Sequence, residues 1–252
     1  MTFSLKEAFD VAVENVLYNT HTALPAIITA FDREEQTVTV RLSIKRNIGG
    51  ESVEIAPIID IPVVQQSAGG FHITLPIKAG DECLVIFAER AIDTWFEHGG
   101  VQAPAERRRH DISDGFAIIG VNSKPNGIPH YNIHGLDIRN EEKTQHITLH
   151  GDGDIEIYTA NTLNINTVGS VNIISGHHVN ISTQDNATIT SGRDTRVLAV
   201  GEISLTAPLI KLLGNVEITG NMVQVGTFTL NGITVDAHIH AGDSGGSTGP
   251  MQ

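Results

Sequence analysis

The chain has 252 residues, with 25 glycines, an aromatic content of 5% and a formal net charge of −13. That length is ample for a buried core, and the composition favours strands and tight turns over a helical bundle. The acidity repels a nucleic-acid backbone, which sets DNA binding aside.

The single cysteine, Cys83, excludes an intrachain disulfide. In the run Cys83-Leu84-Val85-Ile86-Phe87 it reads as a buried, inert thiol. No basic region followed by an apolar stretch and a cleavage site opens the chain. No apolar run approaches the roughly 20 residues of a membrane-spanning helix. The expectation is a soluble protein made in a cytoplasm, meeting any membrane later, by delivery.

Residues 4–18 are predicted to form a short amphipathic helix. Leu5, Ala8, Phe9, Ala12, Val13, Val16 and Leu17 fall on one face, and Ser4 with Glu7 has the capping-box form. Its apolar face packs either on its own domain or on a neighbouring subunit; the sequence leaves both open. From Leu24 to about Val121 the pattern is one of short strands, in the runs 26–30, 37–42, 58–64, 71–77 and 83–88. Five or so strands in roughly 100 residues suit a small closed barrel. The segment 103–113, with Arg107-Arg108-Arg109-His110, reads as an exposed basic loop, either merely solvated or docked on an acidic neighbour. A turn-rich linker, Ser123-Lys124-Pro125-Asn126-Gly127-Ile128-Pro129, follows.

Beyond it lies an eight-residue repeat. The pairs Ile147/Leu149, Ile155/Ile157, Leu163/Ile165, Val171/Ile173, Val179/Ile181, Ala187/Ile189, Thr195/Val197 and Ile203/Leu205 recur without a slip. All but Thr195/Val197 are apolar-x-apolar, with Gly, Asn, Asp, Ser and Thr between them. A period of eight drifts around an α-helix and presents no stable face. It fits a short strand and a turn, with positions i and i+2 on one side. Eight residues supply one side and one corner, whereas a single-chain β-helix needs roughly 18 or more for a complete turn at about 3.3 Å per residue. Three chains winding about a common axis supply all three sides and leave no lateral edge open. The expectation is therefore a homotrimer with an intertwined β-helix.

Near the end stands His238-Ile239-His240. In a strand the two imidazoles face the same way. Turned toward a threefold axis, six of them make an octahedral site, for which iron is the first choice over zinc or nickel. The plainer reading is a pair of exposed or stacked rings. The acids of the repeat (Asp152, Asp154, Glu156, Asp185, Asp194) are scattered at turns, so no catalytic residue is expected and the chain is read as not an enzyme.

Gly80-Asp81-Glu82-Cys83-Leu84-Val85-Ile86-Phe87-Ala88-Glu89-Arg90-Ala91-Ile92-Asp93-Thr94-Trp95, then Arg109-His110-Asp111-Ile112-Ser113-Asp114-Gly115, the octads and the terminal His-Ile-His resemble the Mu-like central spike family of contractile-tailed bacteriophages. The octads alone are shared with secretion-system spikes. The resemblance implies an all-β chain: a short N-terminal helix (1–22), an OB-fold domain attached to the baseplate hub (23–122) and a linker or start of the shaft (123–146). It continues with a trimeric β-helix (147–235) and a pointed apex (236–252) holding iron through His238 and His240. It further implies a virion protein driven through the host outer membrane on sheath contraction. A polysaccharide-degrading or receptor-binding fibre is the competing class.

Overall fold

The computed structural model describes residues 4–235. The chain divides into two compact units, residues 1–170 and 171–252. It is mostly β with few helices.

The first unit opens with α1 (Leu5–Asn19), whose capping box forms as predicted. The Ser4 N–H donates to Glu7 Oε2 (2.8 Å) and the Glu7 N–H donates to Ser4 Oγ (3.2 Å), satisfying amides that the first turn leaves without helical partners. None of the α1 residues is buried.

Next come β1 (Ala23–Asp32), β2 (Thr37–Leu42), β3 (Arg46–Ile48), β4 (Glu51–Val53), β5 (Ile58–Pro62), β6 (Gln66–Ala68), β7 (Phe71–Ile73), β8 (Glu82–Phe87), the short helix α2 (Asp93–His98) and β9 (Gly115–Ile119). Five of these strands make one antiparallel sheet in the order β5-β2-β1-β8-β9. Register slips between Ile28 and Ala30 in β1, a bulge of the kind that bends a sheet. The sheet curls into a half-barrel whose two ends approach: Val63 bridges Ala117 in parallel, and the Val64 N–H donates to the Ala117 carbonyl (2.9 Å).

Alternate residues of these strands fill the interior. Ile28, Val38, Val40, Ile61, Cys83, Val85 and Ala117 are all at most 1% exposed. Cys83 lies among them as expected, and burial pushes its thiol up to about 11, so it stays protonated at neutral pH. Gly115 is required by space, because a Cβ there would stand 2.8 Å from Val85 Cγ1.

The run 71–77 departs from its predicted role. Its alternation imitates a half-buried strand, yet β7 turns back at Gly69-Gly70 to pair with β6 alone, leaving Phe71 and Ile73 exposed. The fifth barrel strand is β9, which pairs along β8 from Cys83↔Ile119 to Phe87↔Gly115.

After a 3-10 turn at Lys124–Asn126, a separate three-stranded antiparallel meander forms from β10 (Gly135–Arg139), β11 (Gln145–His150) and β12 (Ile155–Thr159). The first two octads thus pair with each other inside one chain, where strands alternating between chains were expected. The reason is local. Gly151-Asp152-Gly153-Asp154 reverses the chain, with Gly153 at φ +102°, the His150 N–H donating to the Asp154 carbonyl (2.9 Å) and the Gly153 N–H to the His150 carbonyl (3.1 Å).

The described part of the second unit contains β13 (Thr229–Leu230) and β14 (Ile233–Thr234), a small hairpin. Among the described residues, no strand lies between Thr159 and Thr229, so the later octads make no strand ladder with their own chain.

Ile61 touches both ends of the half-barrel core, and truncating it leaves a cavity. Ile61→Ala is expected to lower unfolding stability by about 2–5 kcal/mol, measured as a shift of the denaturant midpoint without a change in slope.

Candidate functional site

The meander of β10, β11 and β12 has two unlike faces. Register sets Leu136 opposite Leu149 and Leu149 opposite Ile155, while Ile138 faces Ile147 and Ile147 faces Ile157. Six apolar side chains therefore form a two-by-three array on one face, each between 40% and 69% exposed.

The other face is polar and mostly bonded within the chain, with Asp137 Oδ2 and His146 Nδ1 buried without a hydrogen-bond partner. Asp137 Oδ1 accepts hydrogen bonds from Asn132 Nδ2 (2.9 Å) and Thr148 Oγ1 (2.8 Å), and Lys143 Nζ lies 3.3 Å from Oδ2. Arg139 donates to the carbonyls of Asn140 and Glu141 (3.0 Å each) and reaches back to those of Pro129 and His130. Loop 129–132 thus covers the polar side. The usual arrangement of a half-exposed sheet, apolar toward its own chain and polar toward water, is reversed.

The same apolar pattern continues along the octads. From Leu163 to Leu205 every large apolar member of the repeat is between 53% and 85% exposed. The corners are regular as well. The side-chain oxygens of Thr159, Thr167, Ser175, Thr183 and Ser191 accept from the backbone N–H two residues on, at 3.1–3.3 Å. These five turns are spaced eight residues apart and share the phase of the apolar pairs. A hydroxyl residue at every eighth position was present in the sequence; the apolar alternation alone does not disclose it. Exposed apolar area on this scale marks an interaction surface.

Several individual side chains fall into place. His146 stacks on Tyr158 (ring centroids 5.2 Å apart), and the Nε2 atoms of His146 and His150 lie 3.5 and 3.6 Å from the same Glu156 oxygen. Among the described residues, no group of three His, Cys, Asp or Glu side chains converges closely enough to hold a metal ion. His177 sits in one of the octad corners, its N–H on Ser175 Oγ. His238 and His240, the predicted metal ligands, lie outside the described residues.

The basic loop needs correction. Arg107 and Arg109 are exposed, but Arg108 is pinned. It grips the fully buried Asp114 through Nε and Nη2 (3.0 Å each) and also reaches Asp93 Oδ2 (2.5 Å) and Glu106 Oε2 (2.9 Å). Asp114 Oδ1 also accepts the Ile92 N–H (3.1 Å) at the start of α2, so this arginine braces α2 against β9. The predicted linker is likewise fastened. Ser123, through its N–H and hydroxyl, and Asn126 Nδ2 all donate to the Glu82 carboxylate, which holds that carboxyl below its ordinary value.

Residues 24–120 match the family model described as the phage protein Gp138 N-terminal domain. The match supports a phage structural protein. Association with the virion follows from that assignment. The matched residues span the half-barrel from β1 to β9 and stop before the apolar array. No curated protein matches the chain. Among the described residues, no helix is long and apolar enough to cross a membrane.

The polar face of the meander gives a pH test. Hydrogen bonds from Asn132 and Thr148, then the contact with Lys143, bring the Asp137 carboxyl from 3.8 down to about 2. A depressed folded value means that this stabilisation is complete above the unfolded value and fades as pH falls from about 3.8 toward 2. The protection factor of the Thr148 amide, measured against the intrinsic exchange rate at each pH, should drop across that window in the native chain, and Asp137→Asn should abolish the acid step.

Proposed function

We propose that the chain is the central, cell-puncturing spike of a contractile phage tail. It is attached to the baseplate hub and driven through the host outer membrane when the sheath contracts. The observation that carries this reading is the open apolar row, which starts on β10, β11 and β12 and continues in eight-residue steps beyond a phage structural domain. A chain that bonds most of its polar face itself and leaves its apolar face open is built to be completed by other chains. Three copies close the octads into an intertwined β-helix without lateral edges. The sheet order β5-β2-β1-β8-β9 with its Val63–Ala117 closure supports an OB-fold for 23–122, the part assigned to the hub. The Mu-like resemblance belongs to this same proposal.

The role is mechanical and non-catalytic. A narrow trimeric shaft concentrates force on a small area, and its rungs resist fraying because neighbouring chains hold each one. At 236–252, outside the described residues, a trimer with both histidines turned to its axis would bring together six imidazoles from His238 and His240. That all-nitrogen donor set suits iron, with zinc or nickel as alternatives, and one ion per trimer would link the three chains. A secretion-system or tailocin spike has the same architecture and differs only in the particle that carries it.

A polysaccharide-degrading fibre has one observation in its favour, a shallow depression lined by His150, Asp152, Asp154 and Glu156. The two readings separate in the products: the spike leaves capsular and cell-wall polysaccharide uncleaved, and release of oligosaccharide would replace it with the enzyme reading.

Native mass and elemental analysis of the full chain test the proposal. The expected result is three chains with one iron, or zinc or nickel in its place, and loss of the metal on acidification to about pH 4 because imidazole binds metal only when neutral. A single-chain mass at working concentration would overturn it.

A further inference from the structure

The search for a further site leads to α1. The helix is 15 residues long and buries none of them, and a helix of this length is marginal in water on propensity alone. Its attachment to its own domain is at the C-terminal end. The Tyr18 hydroxyl donates to the Asn47 carbonyl, Arg46 lies over the Tyr18 ring (4.2 Å), and Arg46 Nη2 donates to Asn19 Oδ1 (2.7 Å). Tyr18 is nine residues from Phe9, which at 100° per residue puts them on opposite sides of the cylinder. The tether therefore holds the helix at its C-terminal end and leaves the apolar side uncovered, with Leu5 90%, Phe9 70% and Val16 66% exposed.

The spacing on that side says what covers it. Leu5, Phe9, Ala12 and Val16 follow one another at intervals of four, three and four. This is the heptad seam by which helices pack on copies of themselves. The flanking seam positions are Lys6, Ala8, Val13 and Asn15, none of them acidic. The three acids of the helix, Glu7, Asp10 and Glu14, all fall on the outer positions. Parallel copies can therefore meet along this seam without setting carboxylates against one another, although the whole chain is strongly acidic. A seam of small and apolar residues (Ala12 at its middle) also lets the helices approach closely.

We propose that α1 is a self-association element: the α1 helices of neighbouring copies of this chain pack in parallel through Leu5, Phe9, Ala12 and Val16, forming a short coiled coil ahead of the half-barrels. The seam argues for copies of the chain as partners; that they number three rests on the spike reading.

Cysteine cross-linking in the full chain tests this, and the buried, protonated Cys83 does not compete. Under mild oxidation Ala12→Cys, on the seam, is expected to yield a covalent dimer, and Glu14→Cys, on the outer side, is not. Adding Phe9→Glu to Ala12→Cys should cut the cross-linked fraction several-fold while the chain keeps the mass set by its octads. Absence of a cross-link at Ala12→Cys in a chain that is still oligomeric overturns the inference and leaves the spike reading intact. Equal cross-linking at both positions also overturns it, because it reports collision without a seam. A single-chain mass with no cross-link removes both.

Discussion

Apolar side chains that their own chain cannot cover govern this molecule. The array on β10, β11 and β12 and the row from Leu163 to Leu205 leave in water the residues that would form a core elsewhere. Each such side chain is worth about 1.5–3 kcal/mol when buried, so a long row of them is a large reservoir of stability that the isolated polypeptide does not realise. Polar satisfaction fixes the direction of the deficit. Asp137, Arg139 and Thr148 make most of their bonds within the chain, so the larger deficit lies on the apolar face.

The half-barrel is the contrasting case. Its core, from Ile28 to Ala117, closes inside one chain because the sheet bends at the bulge in β1 and its ends meet at Val63 and Ala117. Arg108 completes the enclosure by neutralising Asp114, a carboxylate that burial would otherwise make costly. One polypeptide thus combines a part that is complete alone with a part that is not. The family match covers the complete part.

Much of this was legible in the residues, and the limits have physical causes. The α1 capping box and the buried Cys83 follow from local patterns that the fold had no reason to override. The octad phase was visible because turn formers and apolar pairs recur at a fixed interval. The run 71–77 misled because alternation reports only a two-sided strand. It does not report whether a barrel has room for that strand, and Gly69-Gly70 set its partner. Arg108 reads with its neighbours as part of an exposed loop, solvated or docked on an acidic neighbour, since Asp93 and Asp114 come beside it only after folding. The eightfold Ser/Thr turns escaped because hydroxyl residues are common in any loop and acquire meaning only through their bonds. The hairpin reversal at 151–154 escaped for a similar reason: turn formers announce a corner without giving its angle. His238 and His240 lie outside the described residues, and their assignment still rests on the sequence alone.

The junction at Glu82 has a consequence for how tension crosses the first unit. One carboxylate receives donors from Ser123 and Asn126, so a pull on the segment beyond Asn126, carried along the backbone into β9, is shared with the head of β8. That strand is flanked on both sides, by β1 and β9, and cannot be peeled from an edge. Its ladders would have to slide and break nearly together, a mode of failure far stiffer than unzipping one hydrogen bond at a time. The segment that looks like a slack connector is therefore also fastened to a supported strand, so that traction does not fall on β9 alone.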